Sequence, residues 1–324
     1  MNYNTAFKLD LEKNFQNKNI SQSSINLYLR NLEKLNDDEP LKNLNFLSPL
    51  ENIVKKLENY KPNTFRGYLI SICSALHFET SKKMKKLYEE YYNLLMKTNK
   101  NLKEKEKLQE KSESQKENWI DWEEVEKKHK VLEELVNKFK DVKEINQHKY
   151  NILLEYVILS LYYFFPPKRN QDWALMNIIF KEEPNLPTDK NYLDYSNKQF
   201  IFNKYKTSKS KGELIENIPE KLMEVINLYF KFHPLLKGKK ITKTTNVPFL
   251  VYYDGKDFTS VNSITRILNR IFNKKIGSSM LRHIYTTSKY GNIVKEMKED
   301  AQIMGHNIET QINNYIKKPN EKNN

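Results

Sequence analysis

Cysteine occurs once in the 324 residues, at Cys73. A single cysteine excludes an intramolecular disulfide framework and a cysteine-based metal cluster, and it fits a reducing intracellular compartment. Glycine is scarce, at seven. No Gly-rich phosphate loop of the Walker or dinucleotide type occurs, which argues against chemistry driven by ATP or NAD. Long apolar runs are also missing. The longest, Ile152 to Phe165, contains Glu155 and is too short to span a bilayer. The opening residues MNYNTAFKLD lack the apolar stretch of a signal peptide, so secretion and a membrane anchor are not expected. Arginine is the rare cation. Only Arg30, Arg66, Arg169, Arg266, Arg270 and Arg282 stand against 49 lysines. Where lysine is this abundant, each arginine raises the question of what lysine could not do.

What is present is charge and apolar material in ordinary proportion. Hydrophobic residues make 38% of the chain and charged residues 30%, enough to build a core. Lys and Arg outnumber Asp and Glu by 55 to 41, a net charge of +14. That excess fits a polyanionic partner, above all nucleic acid. It fits a compositionally biased, AT-rich genome equally well, given the abundance of Lys, Asn and Ile. An anionic membrane surface is a weaker third reading.

Apolar spacing divides the chain in two. Ser21 caps a helix with Ile25, Tyr28, Leu29, Leu32 and Leu35 on one face. A second helix carries Ile53, Val54, Leu57 and Tyr60 and stops at Pro62. Thr64 is expected to start a third, with Phe65, Tyr68, Leu69, Ile72 and Leu76. Ser81 to Met96 continues helically, giving an all-helical domain over residues 1–98. From Asn99 to Asn118 the only apolar residues are Leu102 and Leu108. Such a stretch cannot bury a core and reads as a Lys/Glu-rich linker or solvated helix. Trp119 restarts the pattern, with Asp121 and Glu124 resembling a capping box. A second domain follows over 119–318, with a tail at 319–324. In it Tyr150–Phe165 is helical and Pro166-Pro167 break the chain. Gln199–Pro219 is the clearest strand signal, a β-hairpin around the polar turn Ser208–Gly212. The fold class is therefore mainly α with a small β-sheet or hairpin.

Four stretches of the second domain stand out: Lys168-Arg169-Asn170-Gln171-Asp172, the Lys-rich hairpin Lys204-Tyr205-Lys206-Thr207, Leu281-Arg282-His283, and Met304-Gly305-His306 with Tyr315 nine residues on. Their order and spacing resemble the tyrosine recombinase (phage integrase) family over residues 119–318. The helical N-terminal part is similar, more loosely, to that family's core-binding domain. The resemblance implies a two-domain clamp around DNA: a SAM-like helical domain plus a mixed α+β catalytic domain. It assigns Tyr315 as nucleophile, Arg169, Arg282, Lys206 and His306 as catalytic partners, and Asp172 as the residue that orients Arg169. His283 is expected to support helix packing. Ser279 stands where the family has histidine, which leaves the general base open. Any of Lys204, Lys206, Lys209 and Lys211 could be the proton donor, with Lys206 the best match.

The residue types suit the chemistry. Charge builds on the non-bridging oxygens when a hydroxyl attacks a phosphodiester. A planar guanidinium grips two oxygens at once, which lysine cannot do. A covalent phosphotyrosine conserves the bond energy, so no cofactor, neither ATP nor metal, is needed. Taken singly the residues are ordinary: Tyr315 is one of 20 tyrosines, and Arg169-x-x-Asp172 reads equally as a surface ion pair. Their conjunction carries the expectation of a DNA-cutting and DNA-joining enzyme of a virus or mobile element. It would act as a homotetramer on double-stranded DNA in host cytoplasm or nucleus. A type IB topoisomerase and a catalytically attenuated DNA-binding relative are the alternatives. Lys61, Thr64 and Arg66 are candidate phosphate contacts in the first domain.

Overall fold

The structure is a computed structural model that describes residues 5–180, 186–237, 247–258 and 260–317. The expected tail 319–324 lies outside these residues. Two compact units divide the chain, Met1–Lys111 and Ser112–Asn324.

The first unit is helical. Its helices are α1 (Ala6–Asn17), α2 (Gln22–Leu35), α3 (Leu50–Leu57), α4 (Pro62–Leu76) and α5 (Lys82–Lys107). Ser21 and Ser81 cap α2 and α5 through their hydroxyls, as their positions predict. Thr64 does not start α4. Pro62 does, with Lys61 ahead of it, because the fixed φ of proline suits the first helical position. Leu29, Leu32, Leu69, Ile72 and Tyr91 meet in the core. Buried Asn31 donates to Ser71 Oγ at 2.9 Å, and the Tyr91 hydroxyl donates to Leu47 O at 2.8 Å.

α5 runs eleven residues past Met96, to Lys107, and α6 (Glu113–Asn118) follows. The stretch from 99 to 118 is thus largely helical and solvated. The capping box in this region is formed by Ser112 and Gln115. Asp121 precedes α7 (Trp122–Asn137) but makes no side-chain cap.

The second unit is built around α8 (Gln147–Tyr163), which Asn146 caps. Leu153, Leu154, Val157, Ile158, Leu159 and Leu161 are all buried, and solvent reaches the helix mainly at its N-terminal end and along Asn151, Ile152 and Glu155. α7, α11 (Glu220–Phe232) and α12 (Asn262–Phe272) pack around it. A mixed sheet of order β4-β3-β2-β1-β5 lies in the same core. Its strands are β1 (Asn177–Ile179), β2 (Asn191–Asp194), β3 (Gln199–Phe202), β4 (Leu214–Asn217) and β5 (Val247–Pro248). β1 and β2 are parallel; the other pairs are antiparallel. The expected hairpin is β3–β4, registered from Gln199 opposite Asn217 to Phe202 opposite Leu214. Its connection is longer than a tight turn and holds a single helical turn, α10 (Ser208–Lys211). The small sheet was expected, but the positions of β1, β2 and β5 were not. Short α9 (Asn170–Ala174) follows Arg169. The long α13 (Ser278–Ile303) leads to a single turn α14 (Ile308–Thr310) and a π-helical turn over Gln311–Tyr315.

Candidate active site

The break after α8 creates one wall of a pocket. Buried Pro167 cannot continue the helix, and the chain turns through Lys168 and Arg169 into α9. Asn170 fastens this corner. It accepts from the Tyr162 hydroxyl at 2.8 Å, donates to Thr265 Oγ1 at 2.7 Å, and its backbone N–H donates to Ser278 Oγ at 3.2 Å. Helices α8, α12 and α13 therefore all fix the position of Arg169.

The opposite wall is the β3–β4 connection. Buried Asn191 ties it to α9: its amide nitrogen donates to Asp172 O and Lys204 O, and its oxygen accepts from the backbone of Asn203 and Lys204. Tyr205 closes the loop by donating to Gly212 O at 2.9 Å. Arg282 comes from the first turns of α13, half-buried between buried Leu281 and the solvent.

Together Lys168, Arg169, Asp172, Phe202, Tyr205, Lys211 and Arg282 line a cavity of about 650 Å³. Among the described residues neither guanidinium in it has a hydrogen-bond or ion-pair partner. Arg66 and Arg270 differ. They are held by Asn99 and Glu155 respectively. The pocket thus concentrates cationic donors and leaves its two arginines unspent, which is what a phosphate group requires.

Asp172 does not orient the Arg169 guanidinium through an ion pair. Its Oδ2 accepts from the Arg169 backbone N–H at 3.1 Å, capping α9. Its Oδ1 is buried without a partner among the described residues. Burial raises the Asp172 pKa; the Arg169 backbone bond and the nearby Lys168 and Arg169 charges work against this.

The remaining expected residues fall elsewhere. Lys206 is exposed and does not line the cavity, although its neighbours Tyr205 and Thr207 do. Ser279 is exposed too. Its neighbour Ser278 is the buried serine that reaches Asn170. His283 is exposed rather than packed into the core as expected, because at about 100° per residue it falls off the buried face of Leu281 and Ile284. In the first unit Lys61 and Thr64 are exposed, while Arg66 is half-buried against Asn99.

Gly305 and His306 end α13. The His306 N–H bonds Ala301 O at 3.0 Å and the Gly305 N–H bonds Gln302 O at 3.2 Å, a Schellman motif. It needs the positive φ of 75° that Gly305 adopts. The His306 and Tyr315 rings stack with centroids 5.0 Å apart and planes at 22°. His306 Nε2 is buried without a partner among the described residues, and Tyr315 is 65% exposed. Neither lines the cavity. The structure therefore gathers the expected residues into two groups, Arg169–Asp172–Arg282 and His306–Tyr315. Sequence reading missed Asn170, Asn191 and Ser278, whose part is to hold backbone.

Among the described residues no group of three or more His, Cys, Asp or Glu could hold a metal ion, and no helix is long and apolar enough to cross a membrane. No protein-family model matches the chain, and no curated protein matches it. Among solved structures it is similar to one described as the crystal structure of XerA recombinase. The identity is 12% and the TM-score 0.34, over 94% of this chain and 91% of that one. A superposition that loose defines no shared fold, so the pocket itself has to carry the chemistry.

Proposed function

We propose that this protein cuts and rejoins DNA strands by transesterification through a covalent 3′-phosphotyrosine at Tyr315. The observation that carries the reading is the convergence of Arg169 and Arg282 in one pocket with neither guanidinium engaged by the protein. Each can take two oxygens of a phosphodiester and meet the charge that grows as the hydroxyl attacks. One preorganised donor of this kind is worth on the order of 3 kcal/mol of barrier. The Tyr315 phenol attacks phosphorus, the 5′ oxygen departs with a proton from a lysine, and the 5′ hydroxyl later reverses the step on the same or another strand. Lys206, beside the pocket on the hairpin loop, is the donor that the family pattern points to. His306, stacked on Tyr315, would travel with it and bond a phosphate oxygen. The setting we infer is site-specific recombination or integration of a viral or mobile element, by a homotetramer on duplex DNA.

The position of Tyr315 outside the cavity favours one second reading, a phosphate-gripping DNA-binding relative that no longer cuts. A nicked suicide duplex separates the two. A covalent adduct lost in Tyr315→Phe supports cutting. Salt-sensitive binding with no adduct, or an adduct that survives Tyr315→Phe, refutes it.

A further inference from the structure

Lys168 has no part in the chemistry above, yet it lines the pocket half-buried, whereas every lysine of the hairpin loop is exposed. It stands between buried Pro167 and the fastened Arg169, so its backbone is fixed on both sides. Its ammonium sits 4.1 Å from the centre of the Phe202 ring and 5.5 Å from that of Phe165. Both rings are buried in the core. Among the described residues it makes no hydrogen bond or ion pair. We propose that Lys168 is the proton donor to the departing 5′ oxygen, an assignment that rests on the strand-cutting reading.

Burial lowers the Lys168 pKa, against the opposing pull of the Glu216 and Asp172 carboxylates. A lysine easier to deprotonate is a better acid for an alkoxide, and a larger share of it is neutral amine, available to take the proton back in the return step. The step balances: the Tyr315 Oη–phosphorus bond forms and the phosphorus–O5′ bond breaks. The departing electron pair stays on O5′, Lys168 Nζ gives that oxygen a proton, and the phenol proton leaves to water. In rejoining, the neutral amine takes the proton back from the 5′ hydroxyl. Lys211 also lines the cavity, but it is exposed on a one-turn helix, and Lys206 is exposed outside it.

The test uses the full-length protein on two suicide duplexes, one with the ordinary 5′ oxygen at the cut phosphate and one with sulfur in its place. A thiolate leaves without a proton. Lys168→Met should slow adduct formation on the oxygen duplex by about 100-fold or more, and should come within about tenfold of wild type on the sulfur duplex. Lys168→Arg, which keeps charge and ring contact but holds its proton, should behave the same way and guards against misfolding. Equal slowing on both duplexes, no slowing on oxygen, or sulfur rescue of Lys206→Met or Lys211→Met instead would overturn the assignment. If wild type forms no adduct on either duplex, the strand-cutting reading fails and this one with it. If wild type does and Lys168→Met matches it, this assignment alone fails.

Discussion

Asn191 is the residue through which the two walls of the pocket are joined, and removing it should cost more than any substitution on the surface. It is 4% exposed. Its amide donates to Asp172 O at 3.0 Å and Lys204 O at 3.1 Å, and its oxygen accepts from Asn203 N at 3.0 Å and Lys204 N at 2.8 Å. Asn191→Ala deletes all four bonds and strands four backbone groups. The Asp172 carbonyl end is buried and stays unsatisfied, while water reaches the loop end and offsets part of the loss. One stranded buried group at about 1–3 kcal/mol plus a few tenths for each loop group gives a total of about 2–4 kcal/mol. Asn191→Asp is no rescue, because it keeps the two accepted bonds and turns an oxygen towards two carbonyl oxygens. All three tryptophans, Trp119, Trp122 and Trp173, lie in the second unit, so urea unfolding followed by their fluorescence reports this unit alone. The midpoint should fall with an unchanged slope. A loss under about 0.5 kcal/mol, within the range of ordinary surface substitutions, would refute the view that Asn191 holds the loop to α9.

His129 and His233 are buried, and burial pushes both down to about 4, so the fold keeps them neutral where the unfolded chain would protonate them. Their contribution is complete above about pH 6.5 and lost as pH falls from there towards 4, to a limit of about 3 kcal/mol each. Urea midpoints measured across that range should show it, and the double variant His129→Gln/His233→Gln should flatten the profile. Leu159→Ala removes a fully buried side chain from α8 and should cost about 2–5 kcal/mol in the same urea assay. Arg282→Ala should slow adduct formation by about 100- to 1000-fold while leaving the thermal midpoint unchanged, since the guanidinium supports no protein group. A drop in midpoint would show that Arg282 is structural.

The helices were legible because their signals are local. Ser21 and Ser81 cap where the hydroxyl precedes an apolar stripe, and α8 announces itself by a run of apolar residues longer than any strand needs. The hairpin was legible because β3 and β4 are adjacent in sequence. β1, β2 and β5 were not. They are two to four residues long, and every residue of β1 and β2 is buried, so they lack the alternation that marks a half-exposed strand. β1 also pairs with β2 in parallel, a contact no short-range pattern encodes. Thr64 was misplaced as a helix start for a related reason: a residue suited to capping acts only if the backbone presents it, and Pro62 had already begun α4. Asp121 does stand at the N-cap of α7, as expected, but without a side-chain bond.

The site divides along the same line. Arg169 and Arg282 are 113 residues apart, and their convergence depends on Asn170 bonding three separate helices at the corner where α8 ends. A motif reading finds the arginines and not the asparagine, because the asparagine's work is done on backbone and neighbouring side chains, not on a ligand. The proposed nucleophile shows the converse. Gly305, His306 and Tyr315 keep their expected spacing, and that spacing has a local structural cause in the Schellman turn and the ring stack. Nothing in that cause directs the pair into the pocket. Ile303 and Met304 are exposed beside it, and among the described residues from 301 to 317 Ala301 and Gln311 alone are buried. Few buried contacts mean that displacing the segment costs little. On the proposed mechanism, bringing Tyr315 to a phosphate held by Arg169 and Arg282 therefore asks for movement of a weakly anchored turn, while the backbone that presents the two half-buried arginines is held by buried neighbours, Pro167 and Leu281.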